Sequence, residues 1–262
     1  MNIFLILSFL FFIGSVFGWV LEVFYRRFFS SLNPERKWIN PGFLVGPYVP
    51  LYGFGLCILY ALAGCERDLT IADPVLEKLV LFALMALCVT ALEFATGMLC
   101  LRVMKVRLWD YSGNWGNLCG VICPKFSLYW AVLSAVYYFF IHPHILSALE
   151  WLSGNLAFSF VVGFFFGVFA IDLAYSSNIL VRIRAFARDN DLVVRLEELR
   201  AHIREGNEKR LEKALFFLSM HSSLPLSEQL SAYADRLRAE AAHLRENANK
   251  LRRSVEDKLP RR

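Results

Sequence analysis

Five apolar stretches of membrane-spanning character dominate the chain: residues 3–25, 48–64, 76–101, 126–141 and 156–180. A bilayer core takes about 20 apolar residues as helix, and lipid satisfies no backbone polar groups, so such segments must be helical. The expected fold is therefore an all-α polytopic bundle. The second and fourth stretches are short, and the first has no Lys or Arg before its apolar run, which favours a span over a cleaved signal. Three stretches carry an acid in their interior: Glu22, Glu93 and Asp172.

Charge separates the body from the rest. The first 180 residues hold ten Lys/Arg and ten Asp/Glu, and the last 82 hold 18 and 13, so the whole net charge of +5 lies in the tail. With 13 acids interleaved, the tail is a poor nucleic-acid binder. The division falls at about 1–181 for the membrane domain and 182–262 for a helical tail. The loops after the first and third stretches carry eight Lys/Arg: Arg26, Arg27, Arg36 and Lys37, then Arg102, Lys105, Arg107 and Lys125. The loops after the second and fourth carry Arg67 and Lys78 alone. The positive-inside rule then places the N-terminus outside and the tail in the cytoplasm.

An offset of 77 residues aligns two loops without a gap. Trp38, Asn40, Pro47, Leu51 and Tyr52 fall on Trp115, Asn117, Pro124, Leu128 and Tyr129. Each loop follows a span with an acid and precedes a short span, so the body reads as a 2+2 parallel pseudo-repeat plus one helix. Irregular backbone at membrane depth needs protein or water around it. Asn40, Tyr52 and Asn117 are therefore candidate binding residues. A plainer reading has Pro50 and Pro124 opening helices, the two Asn residues making turns, and the two Trp residues sitting at the interface.

Glu22, Glu93 and Asp172 lie about 6, 13 and 15 Å from the inner boundary of their spans, at 1.5 Å per residue. Ionisable groups in membranes usually face a bundle interior or water, so the three are expected to line a polar site in the cytoplasmic half. Glu22 can also pair with Arg26 one turn later. Glu93 and Asp172 have no local base; Arg102, Arg107 or Lys125 could reach them. Gly14 and Gly18 share the Glu22 stripe, Ala86, Thr90 and Gly97 that of Glu93, and Gly163 and Gly167 form a further small-residue pair, all expected to face other helices. Asp110, with Tyr111 and Ser112, is a further candidate beside Glu93.

No Gly-x-x-x-x-Gly-Lys-Ser/Thr, His-Glu-x-x-His or Gly-x-Ser-x-Gly occurs. His142 and His144 have no ligand set, and the six cysteines read as reduced thiols, so no metal or cofactor is expected. From residue 222 the tail has a Leu/Ala seam at Leu230, Ala234, Leu237, Ala241, Leu244, Ala248, Leu251 and Val255. This heptad pattern predicts a coiled coil or helical hairpin, and residues 222–262 are the candidate surface for self-association or a protein partner. An earlier helix is expected over 191–205.

Gly18-Trp19-x-x-Glu22, the run from Asn40 through Gly46, Pro47, Pro50 and Tyr52 to Gly53, and Trp109-Asp110-Tyr111-Ser112 with Asn117-x-x-Gly120 resemble the bacterial family called putative ABC-transporter type IV. The resemblance covers about residues 10–145. It implies a permease of the bacterial inner membrane working with a separate ATPase. The residues alone also accommodate an intramembrane enzyme on a lipid-linked substrate, with Asp110 or Glu93 as base, and a scaffold that recruits a partner through its tail. Membrane lipid is a partner in every case.

Overall fold

The computed structural model describes residues 2–30, 33–68, 71, 73–206 and 226–256. It is helical, with one minimal sheet. Helix α1 spans Ile3–Phe28, capped by the Asn2 side chain on the Phe4 amide at 3.0 Å, with Arg26 and Arg27 in the last turn where the helix dipole favours cations. Helix α2 spans Pro50–Gly64, and α3 spans Pro74–Leu99 behind an Asp73 cap. Helix α4 covers Pro124–Val136 and α5 covers His142–Gly154, joined without a break by a wide π turn. Helix α6 runs from Ser159 to Asp189. In the tail, α7 is Leu196–Gly206 and α8 is Leu226–Glu256.

Four of these are long and apolar enough to cross a membrane: α1, α3 with its terminal turn, α4–α5 together, and α6. Helix α2 rises only about 22 Å at 1.5 Å per residue, short of the ~30 Å hydrocarbon core. It nests between α1 and α3, while α3 also packs on α4 and α6 on α1. Phe4, Phe17, Leu87, Phe160 and Ile171 are exposed around the bundle, as a lipid-facing surface requires.

Proline begins both short helices, because a missing N–H and a preset φ suit the first turn. The small residues divide. A Cβ on Gly18 would lie 2.2 Å from the Tyr52 side chain, and one on Gly14 would lie 2.9 Å from Leu56, so α1 and α2 touch through their glycines. Gly97 is pressed equally closely by Val121. Gly163 and Gly167 meet nothing within 4 Å and face outward, contrary to expectation. Helix α6 instead buries Val162, Phe165, Asp172 and Ser176.

Below the bundle, β1 (Val106–Arg107) pairs in parallel with β2 (Val194–Arg195), in the register Val106↔Val194. Neither strand was legible as one, since two residues carry no alternation. They join the third helix's exit to the tail. Leu230 and Tyr233 of α8 complete a core with Val106, Leu180, Ile183, Ala187, Val194, Leu196 and Leu199. Ala241 and Leu244, further along the same seam, are exposed. The expected segment around Leu211, Leu215 and Phe216, the helix start at Ser222, and the side chains of Ala248, Leu251 and Val255 lie outside the described residues.

Candidate functional site

Two loops hang beneath α1 and α3, and each is organised by its asparagine. In the first, Asn40 is 1% exposed. Its Nδ2 donates to the carbonyls of Val45 at 2.8 Å and Leu44 at 3.3 Å, and its Oδ1 accepts from the Trp19 indole at 2.6 Å. In the second, Asn117 Nδ2 donates to Ser112 and Asn114 carbonyls at 3.1 and 2.9 Å, and Oδ1 accepts from the Gly120 amide at 3.1 Å. The positions one turn-residue pair onward, Gly42 and Cys119, both have positive φ, 72° and 57°. Equivalent positions at the 77-residue offset thus share a left-handed bend. Both asparagines are therefore turn-formers with their amides consumed locally. Trp38 and Trp115 are exposed, and Arg27 lies 4.3 Å from the Trp38 ring.

Asp172 serves the first loop as well. Its carboxylate accepts from the amides of Val45, at 3.0 Å, and Gly46, at 2.8 Å, from the Tyr48 hydroxyl at 2.6 Å, and from Ser176 Oγ at 2.8 Å. Among the described residues, this charge in the body is matched by converging neutral donors and by no base. Phe165 and Phe169 close over Tyr48, both rings edge-on at 5.5 Å.

Glu22 and Glu93 form a separate centre. Tyr52 donates to Glu22 Oε1 at 3.1 Å, and Arg26 Nε sits 3.3 Å from Oε2. Glu93 is 3% exposed, accepting from the Tyr111 hydroxyl at 3.1 Å and the Trp130 indole at 2.9 Å. The two halves meet through the Tyr52 and Trp130 rings, whose centroids are 5.3 Å apart. Phe126 stacks on Tyr111 at 4.1 Å and completes the aromatic wall. None of Arg102, Arg107 and Lys125 bonds to Glu93, and no base does among the described residues.

Asp110 does not join Glu93. It faces the tail, 2.9 Å from Arg107 Nη1, 3.3 Å from Arg195 Nε and 2.9 Å from the Ser112 amide. Burial pushes its carboxyl up. The Ser112 amide and hydroxyl with the charges of Arg107 and Arg195 outweigh that, and hold it below the ordinary carboxylate value.

The family model described as Putative ABC-transporter type IV matches residues 9–177, well over half of the chain. The chain belongs to the Putative ABC-transporter type IV family. Comparisons with curated proteins and with solved structures returned no match. The family region takes in most of α1, then α2 to α5, both loops and Asp172 on α6, further than the motifs alone suggested. Of the candidate residues, Glu22, Tyr52 and Glu93 come together. Asn40 and Asp172 share the first loop, Asn117 organises the second, and Asp110 faces the tail. Trp130 carried no signal in the sequence, being one aromatic among several in an apolar run. Tyr111 was marked by its Trp-Asp-Tyr-Ser setting. Glu197, which pairs with Arg26 of α1, and Arg200, which reaches the first loop at Asn40, both lie on α7, outside the family region.

Proposed function

We propose that this chain is a permease-like protein of the bacterial inner membrane, N-terminus outside and tail in the cytoplasm, with its polar site at Glu22 and Glu93. The five apolar helices, α2 included, form the 2+2+1 arrangement, with the two asparagine loops entering from the cytoplasmic side. Glu22, Tyr52, Glu93, Tyr111 and Trp130 handle cargo; Asn40, Asn117, Asp110 and Asp172 hold the loops in place around them. The family description favours a separate ATPase as partner, and the chain carries no phosphate-binding loop of its own.

One observation carries the reading. Glu93 is buried in an apolar body with two neutral donors and, among the described residues, no base bonded to it. A carboxylate so placed costs a few kcal/mol unless a proton or cation joins it, so such groups mark transport pathways more often than scaffolds. Glu22 stands beyond the same pair of rings with a base that it shares. Transport assays on cells and reconstituted vesicles compare the parent with Glu93→Gln at matched membrane levels. Flux is expected to fall at least about tenfold, the scale of a lost 1.4 kcal/mol interaction. Equal flux for every substrate class tested would remove the basis of the reading.

A further inference from the structure

The tail reaches the polar site through one face of one helix. Strand β2 fixes the start of α7 against β1, and Val194 donates its amide to the Lys105 carbonyl at 3.1 Å. Arg195 adds the bridge to Asp110. Two residues later Glu197 ion-pairs with Arg26 of α1, and Arg200, 6% exposed, donates from Nη1 to the Asn40 carbonyl at 3.1 Å. Glu197 and Arg200 are three apart and so share a face. Leu196 and Leu199 anchor the helix in the apolar junction. Arg26 is therefore held from two sides: its Nε by Glu22 and its Nη1 by Glu197.

We infer that α7 is a movable cytoplasmic cover of the Glu22–Glu93 site, and that Glu197 is a positioning residue acting on Glu22 through Arg26. The inference rests on the site proposed above and adds its regulation. Docked, α7 draws Arg26 toward the tail and leaves Glu22 Oε1 to Tyr52. Released, it gives Arg26 wholly to Glu22 and opens the first loop, at Asn40, to water. A cation arriving at Glu22 displaces Arg26 toward Glu197 and so strengthens the hold on α7. By linkage, undocking α7 changes the affinity of Glu22 for that cation by the same factor. Breaking one arm of a half-buried charge triad leaves a charge uncompensated, which gives the cover two discrete states.

The test uses the full chain in lipid nanodiscs, with Glu197→Gln and Arg200→Gln singly and together. Amide exchange is followed in 196–202 and 89–97, and Glu22 modification by a water-soluble carbodiimide with an amine is measured by mass spectrometry. In the double variant, exchange in 196–202 is expected to rise about tenfold and Glu22 modification severalfold, with 89–97 unchanged. Val106→Cys with Val194→Cys, paired across β1 and β2, supplies the lock. Closing that disulfide in the double variant should return Glu22 modification to the parental level, even if 89–97 has loosened. Unchanged exchange in α7, parental modification of Glu22 despite a loosened α7, or modification that persists in the locked protein would each overturn the inference. These readouts need no cargo. They can fail while transport by Glu93 stands, and a null transport result for Glu93→Gln leaves them intact.

Discussion

Asp172 and Glu93 are both acids within apolar stretches of helix, yet their surroundings separate them. Asp172 has four donor groups converging on it from a single loop and its own helix, so its charge is spent on the loop. Replacing it by Ala leaves the Val45 and Gly46 amides and the Tyr48 hydroxyl without their acceptor in a buried setting. Each orphaned donor costs about 1–3 kcal/mol, so Asp172→Ala is expected to abolish stable folding, while Tyr48→Phe should cost about 1.5–3 kcal/mol, the scale of a bond to a charged group. Unfolding in mixed micelles measures both; an Asp172→Ala protein as stable as Tyr48→Phe contradicts this account. The acids were visible in the sequence. Their partners were not, because a hydroxyl or amide donor leaves no charge pattern to search for. Asp110 gives a pH signature. Its folded value is depressed, so its contribution is present above the ordinary carboxylate value near about pH 4 and is lost as pH falls through the lower folded value. Melting in detergent between pH 6 and pH 3 should therefore drop at the acid end for the parent and less steeply for Asp110→Asn.

At the scale of elements, proximity separates glycines that the sequence treats alike. Gly14-x-x-x-Gly18 and Gly163-x-x-x-Gly167 have the same spacing. The first lets α2 lie against α1 and so sets the Tyr52 hydroxyl on Glu22, whereas the second faces outward. Gly18→Ala is expected to destabilise by about 1–3 kcal/mol through overpacking and to disturb the site at Tyr52. Gly167→Ala adds a methyl in open space and should be neutral or stabilise by up to about 1 kcal/mol through helix propensity. Thermal unfolding of the two variants side by side checks the contrast, and equal losses would mean that α6 packs through its glycines after all. The apolar runs announced the long helices because length and hydropathy are properties of one segment. The β1–β2 pairing joins residues 88 positions apart over two residues each, and nothing in either segment foretells it.

The whole molecule is a membrane body with a tail folded back onto it, and the proposed orientation can be read from two native thiols. Cys65 and Cys119 are both exposed, one after α2 and one in the second loop. With the N-terminus outside, a membrane-impermeant maleimide on spheroplasts should label a variant keeping only Cys65, and label one keeping only Cys119 after permeabilisation alone. The reverse order would invert the topology. The tail's seam divides by the same logic of what covers it. Leu230 is 2% exposed among Val106, Leu180, Ile183 and Leu199, whereas Leu244 is 67% exposed on the same stripe. The heptad pattern could not distinguish them, since it records spacing and not the partner. Leu230→Ala should cost about 2–5 kcal/mol and loosen α7 with it, because the cavity opens in the junction that anchors both tail helices. Leu244→Ala should stay within about 0.5 kcal/mol of the parent. Denaturant unfolding followed with amide exchange in 196–202 decides between them: if both substitutions cost alike, α8 is held along its whole length by something beyond this single chain, and the junction core is not what docks the tail.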